Sequence, residues 1–316
     1  MDDTTTTGEA TARTVDLSTL TTEQRNERTN ALDTMSVAET LAVMNSEDQS
    51  VAFAVRHALP DIARAVEVIA ASLRRGGRLI YLGAGTSGRL GLLDAVECPP
   101  TFSTSPGQVL ALLAGGPQAF LTAAEGAEDS PDSAVADIDS AEVDDRDTVV
   151  GLAASGRTPY VLAGLDRARE RGAATVSVAC NRNAACSAHA DIAIEVETGP
   201  EVLTGSTRLK AGTAQKLVCN MLSTAAMVQI GKTYQNLMID MRPTNAKLVD
   251  RAERIVAAAA EVDQHSASAA LETAGGDAKV ATVMLATGLD AAAANQSLAD
   301  AEGFVRRAIA PRRPAD

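Results

Sequence analysis

Apolar positions recur with a helical period through the first part of the chain. From Asp33 to Met44 and from Val51 to Leu73 they return every three or four residues, with Leu59, Ile62, Val66, Ile69 and Leu73 on one face. Pro60 falls early in the second run, where a proline suits the first turn of a new helix. From Arg78 the pattern changes. Short, mostly apolar runs at Arg78–Gly83, Val109–Ala114, Thr148–Ala153, Ala174–Ala179 and Ile192–Val196 read as strands. Helical patterns separate the first four, at Ser87–Val96, at Pro117–Gly126 with Pro131–Ile138, and at Pro159–Arg171. Apolar strands joined by crossover helices predict an α/β fold, a parallel sheet covered on both faces. Five strands suggest the doubly wound, flavodoxin-like order 2-1-3-4-5.

Ser206 to Ile230 predicts one long helix, about 37 Å at 1.5 Å per residue, ended by Gly231. Asn245 to Val262 predicts another. Three short Ala-rich segments near 267–273, 277–286 and 289–298 follow, then Ala301 to Ala310, and these read as a small helical appendage. The Thr-, Asp- and Ala-rich start reads as a disordered leader. The expected organisation is a leader over 1–20, an α/β unit with N-terminal helices over 21–245, and a helical unit over 246–316. Thr22-Glu23-Gln24-Arg25-Asn26 reads as a capped helix start.

Composition narrows the partners. The 316 residues are 46% hydrophobic but only 2% aromatic, without Trp, so the core must be built from Ala, Leu, Val and Ile. A net charge of −13 argues against nucleic acid or an anionic membrane as partner. An anionic substrate would have to be held by local dipoles and a few cations. The four cysteines show no CxxC spacing and the three histidines lie far apart, which argues against a zinc or disulfide framework. Reduced thiols in a cytoplasmic protein are the expectation, and Cys98 is expected to be a small buried residue. No run is apolar and long enough to span a bilayer, and no signal peptide is evident.

Two loops carry candidate chemistry. After the first strand comes Gly83-Ala84-Gly85-Thr86-Ser87-Gly88, and then a helical pattern. Strand, glycine loop and helix start aim backbone N–H groups at an anion. The spacing also satisfies the dinucleotide fingerprint. A dinucleotide site would need an acid at the end of the second strand for the ribose, and that strand ends Ala114-Gly115-Gly116. The loop instead offers the hydroxyls of Thr86 and Ser87. The third strand ends in a second hydroxyl loop, Ser155-Gly156-Arg157-Thr158. In a 2-1-3-4-5 sheet these loops flank the switch-point crevice. Two hydroxyl loops at two helix N-termini suit a phosphate monoester. The plainer alternative is that Ser87, Ser155 and Thr158 only cap helices.

Two acids stand near these elements. Glu97 precedes Pro99-Pro100, which should end the helix. Set between Val96 and Cys98, it reads as a partly desolvated carboxyl suited to acid catalysis. Glu125 and Glu128 follow the second strand's helix. Each acid, taken alone, is equally a solvated surface charge.

These residues carry a resemblance. Ile80 to Gly91, Glu97-Cys98-Pro99-Pro100, Glu125-Gly126-Ala127-Glu128-Asp129, Ala154 to Tyr160 and Thr204 to Lys216 together resemble the N-acetylmuramic acid 6-phosphate etherases, from about Thr22 to Ala310. The resemblance implies a sugar isomerase (SIS) fold with a small C-terminal helical domain, and a homodimer. It implies cleavage of the D-lactyl ether of N-acetylmuramate 6-phosphate to N-acetylglucosamine 6-phosphate and D-lactate, in cell-wall sugar recycling, with no metal or organic cofactor. Carried over by motif, Glu97 corresponds to the proton donor and Glu128 to a second essential carboxylate. The phosphate contacts fall on Thr86, Ser87, Ser155, Gly156 and Thr158. An aldose–ketose isomerase of the same fold would give no separate reason for Glu97. A sugar-phosphate sensor like the glucokinase regulatory protein could lose both acids.

Overall fold

Five apolar segments too short for helices pair as one parallel sheet in a computed structural model, which describes residues 20–122, 124–241 and 246–310. The strands are β1 (Leu79–Gly83), β2 (Val109–Leu113), β3 (Thr148–Leu152), β4 (Ala174–Ala179) and β5 (Ile192–Glu195), in the order β2-β1-β3-β4-β5. Each expected strand is present to within a residue at either end. β1 lies between β2 and β3, with Gly83 level with Leu113 on one side and Leu152 on the other. The ends of β1 and β3 are therefore adjacent, as the switch-point expectation requires.

Alternation along the strands builds two cores. Leu79, Tyr81, Val150, Leu152, Val176 and Val178 face one layer. That layer holds α1 (Val37–His57), α2 (Leu59–Arg74), α3 (Gly85–Phe102) and α6 (Lys210–Gln229). Ile80, Leu82 and Val149 face the other, with α4 (Pro131–Ser140) and α5 (Pro159–Glu170). A third apolar cluster joins Tyr234, Ile239 and Met241 to α7 (Ala246–Ala260), α8 (Gln264–Thr273), α9 (Ala278–Thr287), α10 (Ala291–Asp300) and the short α11 (Val305–Ala308). The leader expected over 1–20 lies outside the described residues except for Leu20, which is buried. Asn245, expected to open α7, also lies outside them. Among the described residues no helix is long and apolar enough to cross a membrane.

Three expectations fail for identifiable reasons. Pro99 and Pro100 do not end α3, which continues to Phe102 and stops at Ser103 in the left-handed region. A proline φ is compatible with a helix, and the loss is confined to the N–H groups that Ala95 and Val96 would have received. The Thr101 hydroxyl donates to the Glu97 carbonyl at 2.7 Å and strengthens this last turn. The helix expected over Pro117–Gly126 is only a 3-10 turn, Pro117–Phe120. The guanidinium of Arg89 takes the carbonyls of Ala119 (2.8 Å) and Phe120 (3.2 Å), which a continuing helix would use. The segment around Thr22 is not simply a helix start. It is a strap laid on the sheet's C-terminal edge.

Candidate active site

α3 begins directly after β1 because glycine lets the two approach. A Cβ on Gly88 would stand 2.6 Å from the Gly83 carbonyl oxygen. This contact turns the N-terminus of α3 into the crevice, its N–H groups leading. No side chain caps α3, whose N-cap is Ala84. Thr158 is the N-cap of α5, yet its side chain makes no capping bond. Ser155 accepts a bond from the Arg157 N–H at 3.3 Å. The capping alternative therefore fails for Ser87 and Thr158, and for Ser155 it reduces to one long local contact. Gly156 turns the second loop at φ +74, with the Ala184 Cβ 2.4 Å from where its own Cβ would stand. The two hydroxyl loops face each other across the ends of β1 and β3.

α6 packs against α2 and α3 in the same layer, with its N-terminus beside the crevice. Its backbone N–H groups at Lys210 and Ala211 are capped by the buried carboxylate of Glu201 at 2.9 and 3.0 Å. Burial pushes the Glu201 carboxyl up, against those two bonds. Farther along α6, Gln215 accepts the Ser87 hydroxyl at 2.9 Å. Lys210 is 3% exposed and donates to Glu47 of α1 at 2.6 Å, and Glu47 also pairs with Arg28. Lys210 and Arg89 are thus committed inside the fold.

The strap is tied to the same crevice. The Asn181 side chain, just after β4, receives Thr22 N–H and the Thr21 hydroxyl, and donates to Thr22 Oγ1 (2.9 Å) and to the Ala154 carbonyl (3.1 Å) beside Ser155. Asn26 donates to the Pro200 carbonyl at 3.4 Å. Glu23 lies against Gly205 in the loop before α6.

The two acids part company. Glu128 sits in a 3-10 turn, Ala127–Asp129, entered through Gly126 in the left-handed region. Ala127 packs on a cluster with Ala84, Ala114 and Ala153, which follow β1, β2 and β3. Glu128 is exposed there. Glu97 lies ten residues along α3 from Ser87, about 15 Å at 1.5 Å per residue. It is exposed, so the expected desolvated setting is absent from a single chain. Its stripe, Leu93, Val96, Glu97 and Pro100, is exposed along its whole length, with Leu93 46% and Val96 55% accessible. Cys98, by contrast, is buried, and burial with nearby Asp94 pushes its thiol up to about 12.

Sequence reasoning missed Gln215 and Asn181 as parts of this construction, and Lys210, a cation that could equally touch substrate or pair helices, pairs helices. Gln215 did carry a signal. It falls on the α6 stripe of Ala211, Val218 and Leu222, a polar residue among buried apolar ones.

Comparison with known proteins agrees with this architecture. A family model for the glucokinase regulatory protein N-terminal SIS domain matches residues 61–169, and one for the SIS domain matches 130–225. An N-acetylmuramic acid 6-phosphate etherase from Mycolicibacterium smegmatis is 64% identical over 93% of this chain and 99% of its own. The etherase from Salmonella agona is 54% identical over the same shares. A solved phosphoheptose isomerase from Francisella tularensis matches at 16% identity and a TM-score of 0.45, over 60% of this chain and all of its own. With 54–64% identity to these etherases along 93% of its length, the chain belongs to the N-acetylmuramic acid 6-phosphate etherase family.

Proposed function

We propose that the chain cleaves the D-lactyl ether of N-acetylmuramate 6-phosphate, giving N-acetylglucosamine 6-phosphate and D-lactate, at a crevice completed by a second copy of the chain. The observation that carries this is the 64% identity to an etherase over nearly the whole length of both chains. The 6-phosphate sits between Thr86-Ser87 and Ser155-Gly156-Thr158. Neutral hydroxyls, N–H groups and two helix N-termini hold the dianion.

The chemistry needs an acid and a base. With the sugar open, C1 is an aldehyde and the C2 proton becomes removable. Loss of that proton and of the C3–O bond forms the C2=C3 double bond. Water then adds its oxygen to C3 and a proton to C2, so the sum is hydrolysis of the ether. The lactate oxygen leaves poorly as an alkoxide, so Glu97 protonates it and later takes a proton from the entering water. Glu128 removes the C2 proton or assists ring opening. Each such group contributes roughly 10²–10⁴-fold.

Glu97 comes from the other copy. C3 lies four bonds from the phosphate ester oxygen, which at about 1.5 Å per bond spans less than about 6 Å. Glu97 stands about 15 Å farther along α3 and on its exposed stripe, whereas Ser87 is buried against α6. Two α3 helices packed antiparallel about a two-fold axis would set Glu97 of one copy opposite Ser87 of the other if the axis passed beside position 92, the midpoint. The apolar exposed stripe supports this, since Leu93 stands at that point. The direct test is Glu97→Gln with N-acetylmuramate 6-phosphate. D-lactate release should be lost while binding of the phosphosugar persists, and full activity would refute the assignment.

A further inference from the structure

Gln215 is 1% exposed, and its Nε2 has no hydrogen-bond partner among the described residues. Leaving such a donor unpaired is costly. Its Oε1 meanwhile takes the only proton of Ser87. A hydroxyl has one donor, so Ser87 in this arrangement can only accept, whereas a phosphate dianion calls for donors. The resting hydrogen bonds are therefore the wrong way round for the ligand.

We propose that Gln215 is a positioning residue whose amide turns over when a phosphate enters: Nε2 then donates to Ser87 Oγ, and the Ser87 proton turns to a phosphate oxygen. The exchange removes the unpaired amide donor and leaves a carbonyl oxygen in its place, the less costly group to leave under-satisfied. It also ties the clamp to α6, so an occupied phosphate site stiffens the contact between α3 and α6. This inference rests on the phosphate clamp proposed above.

The test compares Gln215→Glu with Gln215→Leu, using inorganic phosphate and N-acetylglucosamine 6-phosphate as binding probes and N-acetylmuramate 6-phosphate as substrate. A glutamate carboxylate can only accept, so it holds the Ser87 proton away from the ligand. KM and the phosphate Kd should rise by about tenfold or more, the cost of one charge-assisted hydrogen bond, with kcat changed far less. Protonating the buried Glu restores a donor, so the defect should shrink as pH falls toward about 5. Leucine leaves the Ser87 proton free, and KM should move by less than about threefold. A merely structural role would make leucine as harmful as glutamate and independent of pH, and that result overturns the proposal. If the glutamate variant does not fold, a tenfold or larger KM increase in the leucine variant overturns it alone. Wild-type protein that binds neither probe would refute the clamp itself. Equal binding by wild type and Gln215→Glu would leave the clamp standing and refute the role of Gln215.

Discussion

A site shared between two copies makes a quantitative prediction that a single-chain site does not. Ser87 and Glu97 are on one rigid helix, about 15 Å apart along its axis. Consider two variants, Glu97→Gln, lacking the acid, and Ser155→Glu, with an anion in the phosphate clamp. Ser155 is half-buried and accepts one local bond, so the second change should leave the fold intact. Each homodimer should be nearly inactive at low substrate. In a two-fold dimer with shared sites, a heterodimer has one site with both defects and one with neither. Random exchange at equal amounts makes half of the dimers mixed, so activity should recover to about one quarter of wild type. The assay is D-lactate release after co-refolding, with heterodimer content measured by native mass spectrometry. Heterodimers no more active than their parents would refute the shared site. The placement of the axis has its own check: Leu93→Lys sets like charges against each other across it and should give a monomer in sedimentation. A dimer unaffected by that change would refute the α3 pairing.

Removing the acid partner of Lys210 tests the latch between α1 and α6. Glu47→Gln leaves a buried ammonium unpaired and should cost about 3 kcal/mol in chemical denaturation, whereas Glu47→Leu with Lys210→Met should recover most of it. Burial opposes the charge on Glu47, but Lys210 and Arg28 prevail and hold its carboxyl below the usual range. A lowered folded pKa gives stability that is present above the unfolded value and lost as pH falls through the folded one. Melting temperature should therefore fall with acid below about pH 4, and less so in Glu47→Leu with Lys210→Met. Gly156→Ala should cost about 1–3 kcal/mol and raise KM, because φ is +74 and Ala184 fills the space a Cβ needs; an unchanged melting temperature and KM would refute this. Salt should not weaken the substrate, since the clamp uses hydroxyls and dipoles in a chain of net charge −13. Screening relieves repulsion of the dianion, so KM measured between low and high KCl should stay level or fall, and a steep rise would point to a clamp built on cations.

What the sequence disclosed follows the range of the interactions involved. Strand ends came out to within a residue because a strand's apolar run and its glycine terminus are local signals. The hydroxyl loops were legible for the same reason: Ser87 and Ser155 come a few residues after strands whose order follows from their length and connections. The misreading of Pro99-Pro100 shows where local rules fail. A proline in a helix costs one bond and some strain, and packing of Ala95, Cys98 and Phe102 into the core outweighs it. The missing helix after β2 has the opposite cause, since a side chain 30 residues away takes its carbonyls.

The roles of the supporting residues could not be assigned from the sequence because their meaning lies in distant partners. Gln215 answers to Ser87, 128 residues earlier, and Thr22 to Asn181, 159 residues later. Glu97 goes further, since it is exposed in the single chain and its proposed role calls on a second copy. An exposed carboxylate in an apolar stripe, remote from the proposed phosphate loops, would be desolvated for acid catalysis once another surface covers it. The α3 helix then serves at both ends. In the proposed shared site its N-terminal dipole and Ser87 would hold a phosphate in one crevice, and its last turns would lend an acid to the other. Activity and assembly become one property, and a change on the stripe that loosens the dimer should lower kcat without altering any residue that touches phosphate.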